Sequence, residues 1–76
     1  MDNLFFFKIR LKELRNSNQL TQPALAEIIG LKKQTINDIE KGRSKPSINS
    51  AIAIANHFNV SLDYLFGRTD NPEINK

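Results

Sequence analysis

A chain of 76 residues with no cysteine and a net charge of +3 is expected to be one small domain, held by side-chain packing rather than by disulfides or thiolate-bound zinc. No apolar run approaches the roughly 18 residues of a membrane span, and Leu4-Phe5-Phe6-Phe7 is too short and too soon followed by charge to be a signal peptide. A soluble, intracellular protein is expected, and the absence of cysteine fits a reducing cytoplasm.

The first predicted helix begins near Asp2 or Asn3, either of which can cap it. Leu4, Phe7, Leu11 and Leu14 recur every three or four residues and make one buried stripe, until Asn16-Ser17-Asn18 breaks the pattern. Thr21 is a good N-cap for a second helix, and Pro23 falls in its first turn, where a missing N–H costs nothing. That helix stops at Gly30. A third helix spans about Lys33 to Lys41, with Gly42 as its stop. Pro46 restrains the following loop, and Ser47 caps a fourth helix whose inward stripe is Ile48, Ala51, Ile52, Ala55 and Phe58. Ser61 caps a short fifth helix with Leu62, Leu65 and Phe66, ended by Gly67. Residues 68–76 lack periodicity and are expected to be a flexible tail, leaving 1–67 as the domain. There is no strand signal, so five short helices around one core are expected.

Within this plan, residues 22–41 carry the most information. Gly30 permits a sharp turn, and small Ala26 lets the third helix cross closely over the second. Leu25, Ile29, Leu31, Ile36 and Ile39 point inward at helical spacing. Gln34, Asn37, Asp38 and Lys41, flanked by Lys33, are left outward, and such side chains can hydrogen-bond to base edges and phosphates. The charge distribution agrees. Lys32, Lys33, Lys41, Arg43 and Lys45 face only Asp38 and Glu40 in the same stretch, whereas Asp63 is the one charged residue from Pro46 to Gly67. The segment reads as a DNA-binding helix-turn-helix.

Gln22, Ala26, Gly30, Ile36 and Ile39 fall where the phage repressor and Cro-like (XRE-type) helix-turn-helix family places the same residue types. Leu14-Arg15, Leu20-Thr21-Gln22, Glu40-x-Gly42, Lys45-Pro46-Ser47 and Val60-Ser61-Leu62 also look like that family, so the resemblance runs from about Phe7 to Phe66. It implies an all-α, five-helix, lambda-repressor-like domain in a cytoplasmic, nucleoid-associated protein encoded by a bacterium or phage. It implies that Lys33, Gln34, Asn37 and Asp38 touch bases and that Lys32 lies at the DNA. It also implies that Arg15 and Glu40 meet in a partly buried ion pair, and that the region Asn59–Phe66 forms a dimer surface.

By their own chemistry, Thr21 and Gln22 open the second helix where unpaired N–H groups attract a phosphate. Lys41, Arg43, Ser44 and Lys45 would hold a second stretch of backbone, and Thr35 would stand at the groove wall or support the helix. Gln34 suits adenine, Lys33 guanine, and Asp38 the amino group of cytosine. Asp38 departs from the family, and three roles remain open for it: reading cytosine, rejecting wrong sites, or pairing with a nearby lysine. Lys32 departs too, since relatives often carry a capping Ser or Thr there; a less well capped helix and a phosphate role are expected.

His57, the lone histidine, is expected to be an ordinary helix residue. Phe5 and Ile9 lie opposite the core stripe of the first helix, either covering the tail or fifth helix or forming a self-association patch. One histidine, no cysteine and no glycine-rich phosphate loop leave nothing from which to assemble a catalytic site, so neither an enzyme nor a cofactor, metal, membrane or small-molecule partner is expected. The expected function is a transcriptional repressor that binds a double-stranded two-fold operator as a homodimer. The alternative is a protein-interaction module or antitoxin component reusing the fold.

Overall fold

In the computed structural model, which describes residues 3–74, local sequence sets where each helix starts and stops. The helices are α1 (Asn3–Ser17), α2 (Gln22–Ile29), α3 (Lys33–Glu40), α4 (Ile48–Phe58) and α5 (Leu62–Leu65), and no strand occurs among the described residues. Asp2, one of the two candidate caps for α1, lies outside the described residues. Asn3 is already helical, and its amide donates to the Phe66 carbonyl at 2.7 Å.

Three caps are made by hydroxyls. Thr21 Oγ1 accepts from Ala24 N at 3.2 Å, Ser47 Oγ from Ser50 N at 3.1 Å and Ser61 Oγ from Tyr64 N at 3.0 Å. Lys32 stands at the same position before α3 in an extended conformation and makes no side-chain cap. At the other end of α2, Gly30 takes φ +85°, and the N–H groups of Gly30 and Leu31 both donate to the Ala26 carbonyl at 2.8 Å. A Cβ on Gly30 would meet nothing within 4 Å, so backbone conformation rather than space calls for glycine there.

The core consists of Phe7 and Leu11 from α1, Leu25 and Ala26 from α2, Ile36 and Ile39 from α3, Ala51, Ile54 and Ala55 from α4, with Val60 and Leu65. Each large side chain removed from water there contributes about 1.5–3 kcal/mol. α2 packs on α3, α1 bridges α3 and α5, and α4 closes against α2 and α5.

The expected stripe of α4 needs correction. Ile48 is 77% exposed and Ile52 is also exposed, whereas Ile54 is fully buried. Alternating isoleucines and alanines make α4 apolar over more than half its circumference, so periodicity leaves the phase of its inner face ambiguous. Packing against α2 and α5 selects Ala51, Ile54, Ala55 and Phe58. Ile48 is the first residue of the helix and projects past the edge of the core. Leu62 is likewise exposed, and Leu65 alone of α5 is fully buried.

Of the segment 68–76, expected to be a flexible tail, Thr69, Asp70 and Pro72 meet the helices. Ser61 N donates to the Pro72 carbonyl at 2.9 Å. Arg10 donates to the carbonyls of Tyr64 and Thr69 and pairs with Asp70 at 2.7 Å, with its guanidinium 4.2 Å from the Tyr64 ring centroid. Asn75 and Lys76 lie outside the described residues. None of the described helices is long and apolar enough to cross a membrane.

Candidate nucleic-acid interface

The turn at Gly30 sets α3 across α2, with Ile36 and Ile39 buried beneath it. Burying those two leaves Lys33 and Gln34 exposed and Asn37 and Asp38 partly exposed on the outer side. Thr35, read from sequence as standing at the groove wall or supporting the helix, is partly buried, and its backbone N–H donates to Lys32 O at 3.0 Å.

Four polar side chains join α1, α2 and α3 beneath this face. Arg15 Nε and Nη2 donate to the two oxygens of Glu40 at 2.6 and 3.0 Å, and Nη1 donates to the Leu20 carbonyl at 2.8 Å. The side chains are 12% and 3% exposed, so the pair is largely shielded from water. Gln22 Nε2 adds a bond to Glu40 Oε1 at 3.2 Å, and Asn37 Nδ2 donates to Gln22 Oε1, also at 3.2 Å. This network reaches from the buried ion pair to the surface of α3. It leaves the Gln22 amide in one orientation and ties the start of α2 to the middle of α3.

A second, surface cluster surrounds Asp38. Gln34 Nε2 donates to Asp38 Oδ1 at 2.9 Å, one helical turn along α3. Arg43 approaches the same oxygen at 3.9 Å. Of the roles left open for Asp38, pairing is the one the geometry displays, with glutamine and arginine as partners in place of lysine. The amides of Arg43 and Ser44 also donate to the Asp38 carbonyl at 2.8 and 3.3 Å, which folds the loop after α3 back on the helix. Lys41, Arg43, Ser44 and Lys45 are all exposed there, as are Thr21 and Lys32 on the other flank.

Sequence reasoning overlooked one residue beside this loop. Lys8 of α1 lines a cleft of about 420 Å³ together with Arg43, Ser44 and Lys45, over apolar Phe7 and Ile39. It is more than thirty positions from that loop in sequence, and no local pattern marks the proximity. His57 is exposed, with its ring 4.9 Å from that of Phe58.

Two crossed helices, a glycine turn and an outward polar face flanked by cations define the class: a helix-turn-helix protein with the five-helix architecture of phage-repressor DNA-binding domains. The chain belongs to the helix-turn-helix family, whose profile matches residues 11–65, and within it to the phage repressor and Cro-like group. It is 38% identical over 64 residues to the uncharacterised HTH-type transcriptional regulator YobD of Bacillus subtilis, a match covering 84% of this chain. The chain spans 57% of that relative's length. The immunity repressor protein of Bacillus phage phi105 is 33% identical over 58 residues, covering 76% of this chain and 40% of the repressor. Among solved structures, the restriction-modification controller protein C.AhdI from Aeromonas hydrophila superposes with a TM-score of 0.74 at 29% identity, covering 82% of this chain and 94% of that one. Those relatives are a transcriptional regulator, an immunity repressor and a restriction-modification controller.

Proposed function

We propose that the protein is a sequence-specific transcriptional repressor that binds double-stranded DNA as a homodimer on a two-fold operator, with α3 in the major groove. One observation carries this reading: the outer face of α3 is polar and is braced from behind by the Arg15–Glu40–Gln22–Asn37 network. The centre of a protein–protein interface is depleted in charge and enriched in aromatic residues, whereas this face carries Lys33, Gln34, Asn37 and Asp38.

Lys33, Gln34, Asn37 and Asp38 are the base-reading candidates. The Gln34 bond to Asp38 uses one amide hydrogen and leaves the second hydrogen and the oxygen for the two edge atoms of adenine. Asp38 thereby aims Gln34. Thr21, Gln22, Lys32, Thr35, Lys41, Arg43, Ser44 and Lys45 are assigned to the phosphate backbone, where they position the protein without specifying sequence. Gln22 keeps one amide hydrogen beyond its bond to Glu40 and offers it, with the start of α2, to a phosphate oxygen.

A single helix-turn-helix covers too little DNA for tight operator binding, and two copies meet half-sites about 10 base pairs apart. Leu62, exposed within the Asn59–Phe66 region, and Ile52, exposed beside it, suit the surface between copies. The repressor sense is supported by the phi105 immunity repressor among the relatives. Action on a chromosome or phage genome places the protein in the cytoplasm.

Selection from a random duplex pool tests the whole reading. A two-fold symmetric motif, bound with an affinity that falls as salt rises, is the expected result. No enrichment over random duplex, or an affinity indifferent to salt, rejects it.

A further inference from the structure

Lys8 and Phe5, the latter on the outward side of α1, carry none of the contacts assigned to DNA. They are neighbours in space as well as in sequence. Lys8 Nζ stands 5.2 Å from the centroid of the Phe5 ring, within cation–π range. The same side chain reaches over the loop after α3. Its Cδ and Nζ lie 3.3 Å from the point that a Cβ on Gly42 would occupy, so the bare glycine leaves the room that Lys8 uses.

Among the described residues, Asp38 is the one carboxylate paired with a cation of this cleft. Lys8, Arg43 and Lys45 line it together. Among the described residues, no carboxylate comes within ion-pair distance of Lys8 or Lys45, and Arg43 has only the distant contact to Asp38. Three cations held near one another repel, and an anion arriving among them relieves that repulsion. Arg43, Ser44 and Lys45 belong to the loop assigned above to the DNA backbone, so the anion that reaches them is a phosphodiester.

We propose that Lys8 is a further phosphate-contacting residue, the one that α1 supplies, held in place by the Phe5 ring and by the space over Gly42. This rests on the DNA-binding reading above. It also explains why an aromatic side chain stays at the surface of α1: Phe5 is a shelf for the lysine.

The test is a titration of a labelled duplex recovered from the random pool, at a series of salt concentrations, for the wild-type chain, Lys8→Gln, Lys8→Arg and Phe5→Leu. For Lys8→Gln the slope of log affinity against log salt is expected to shrink by about 0.9, the value for one lost phosphate contact. The weakening should be equal for the selected duplex and for random duplex, since a backbone contact carries no sequence information. Lys8→Arg should restore the slope, and Phe5→Leu should lose part of the affinity. Thermal unfolding of Lys8→Gln should match wild type. An unchanged slope in Lys8→Gln, a loss confined to the selected sequence, or a lowered unfolding temperature each overturns the assignment. Absence of salt-dependent binding by the wild-type chain overturns the DNA-binding reading itself, and so separates the two failures.

Discussion

Arg15 and Glu40, 25 positions apart, meet in a two-pronged ion pair at 2.6 and 3.0 Å, with Glu40 almost wholly sealed from solvent. A buried pair of this kind adds little net stability over an apolar pair of the same size, but removing one partner strands the other charge. Arg15→Ala is expected to cost about 3–5 kcal/mol, a large part of the stability available to so small a domain. Denaturant unfolding followed by circular dichroism measures it. A midpoint equal to wild type would mean that water reaches Glu40 freely.

Gln34→Ala should leave unfolding unchanged and cost about 1–3 kcal/mol of operator affinity, with relaxed preference at one base position. Asp38→Ala provides the companion measurement. Freed from Asp38, Gln34 loses its fixed aim, so preference at that same position should weaken although Gln34 is intact. Affinity profiles over single-base variants of the operator report both. Relaxation at two different positions would show that Asp38 reads a base of its own.

Lys32 precedes α3 in the conformation of an N-cap but offers the helix no acceptor. Lys32→Ser is expected to add about 1 kcal/mol of stability, an increase of about 4–8 °C in unfolding temperature for a domain of this size. DNA affinity should fall alongside, equally for all sequences, because a phosphate contact is lost. Calorimetry and salt-dependent binding on the same variant would reveal any failure of this opposition.

Gly30 and Gly67 share a positive φ, of +85° and +77°, but differ in their surroundings. Alanine at Gly30 meets open space and should cost only the left-handed backbone strain, roughly 1–2 kcal/mol. Alanine at Gly67 would in addition run into the Phe6 ring. Gly67→Ala should therefore be the more destabilising of the two in thermal melts. The reverse order would mean that Phe6 moves aside easily.

The order of helices and the turn between α2 and α3 were legible from residues alone, because their causes are local. Thr21, Ser47 and Ser61 each bond an amide three residues on, and Gly30 needs only its own backbone freedom. The Arg15–Glu40 pair was legible by a different route, through resemblance, and its distances match that expectation. For the side chains proposed to meet DNA, the sequence offered residue types but not their partners within the fold. Gln22 and Asn37 suggested phosphate and base contacts, and nothing in their spacing indicated that they bond to one another.

Amino-acid order alone determined an all-α chain with a glycine turn and one polar, cation-flanked helix, since caps, helical period and turn residues act over a few positions. Tertiary packing alone decided which isoleucine of α4 enters the core, that Arg10 gathers Thr69 and Asp70 against α5, and that Lys8 stands beside Arg43 and Lys45. The physical reason is distance along the chain: these contacts join segments that approach only once the helices have closed around a common interior, and no short-range pattern encodes which faces then meet.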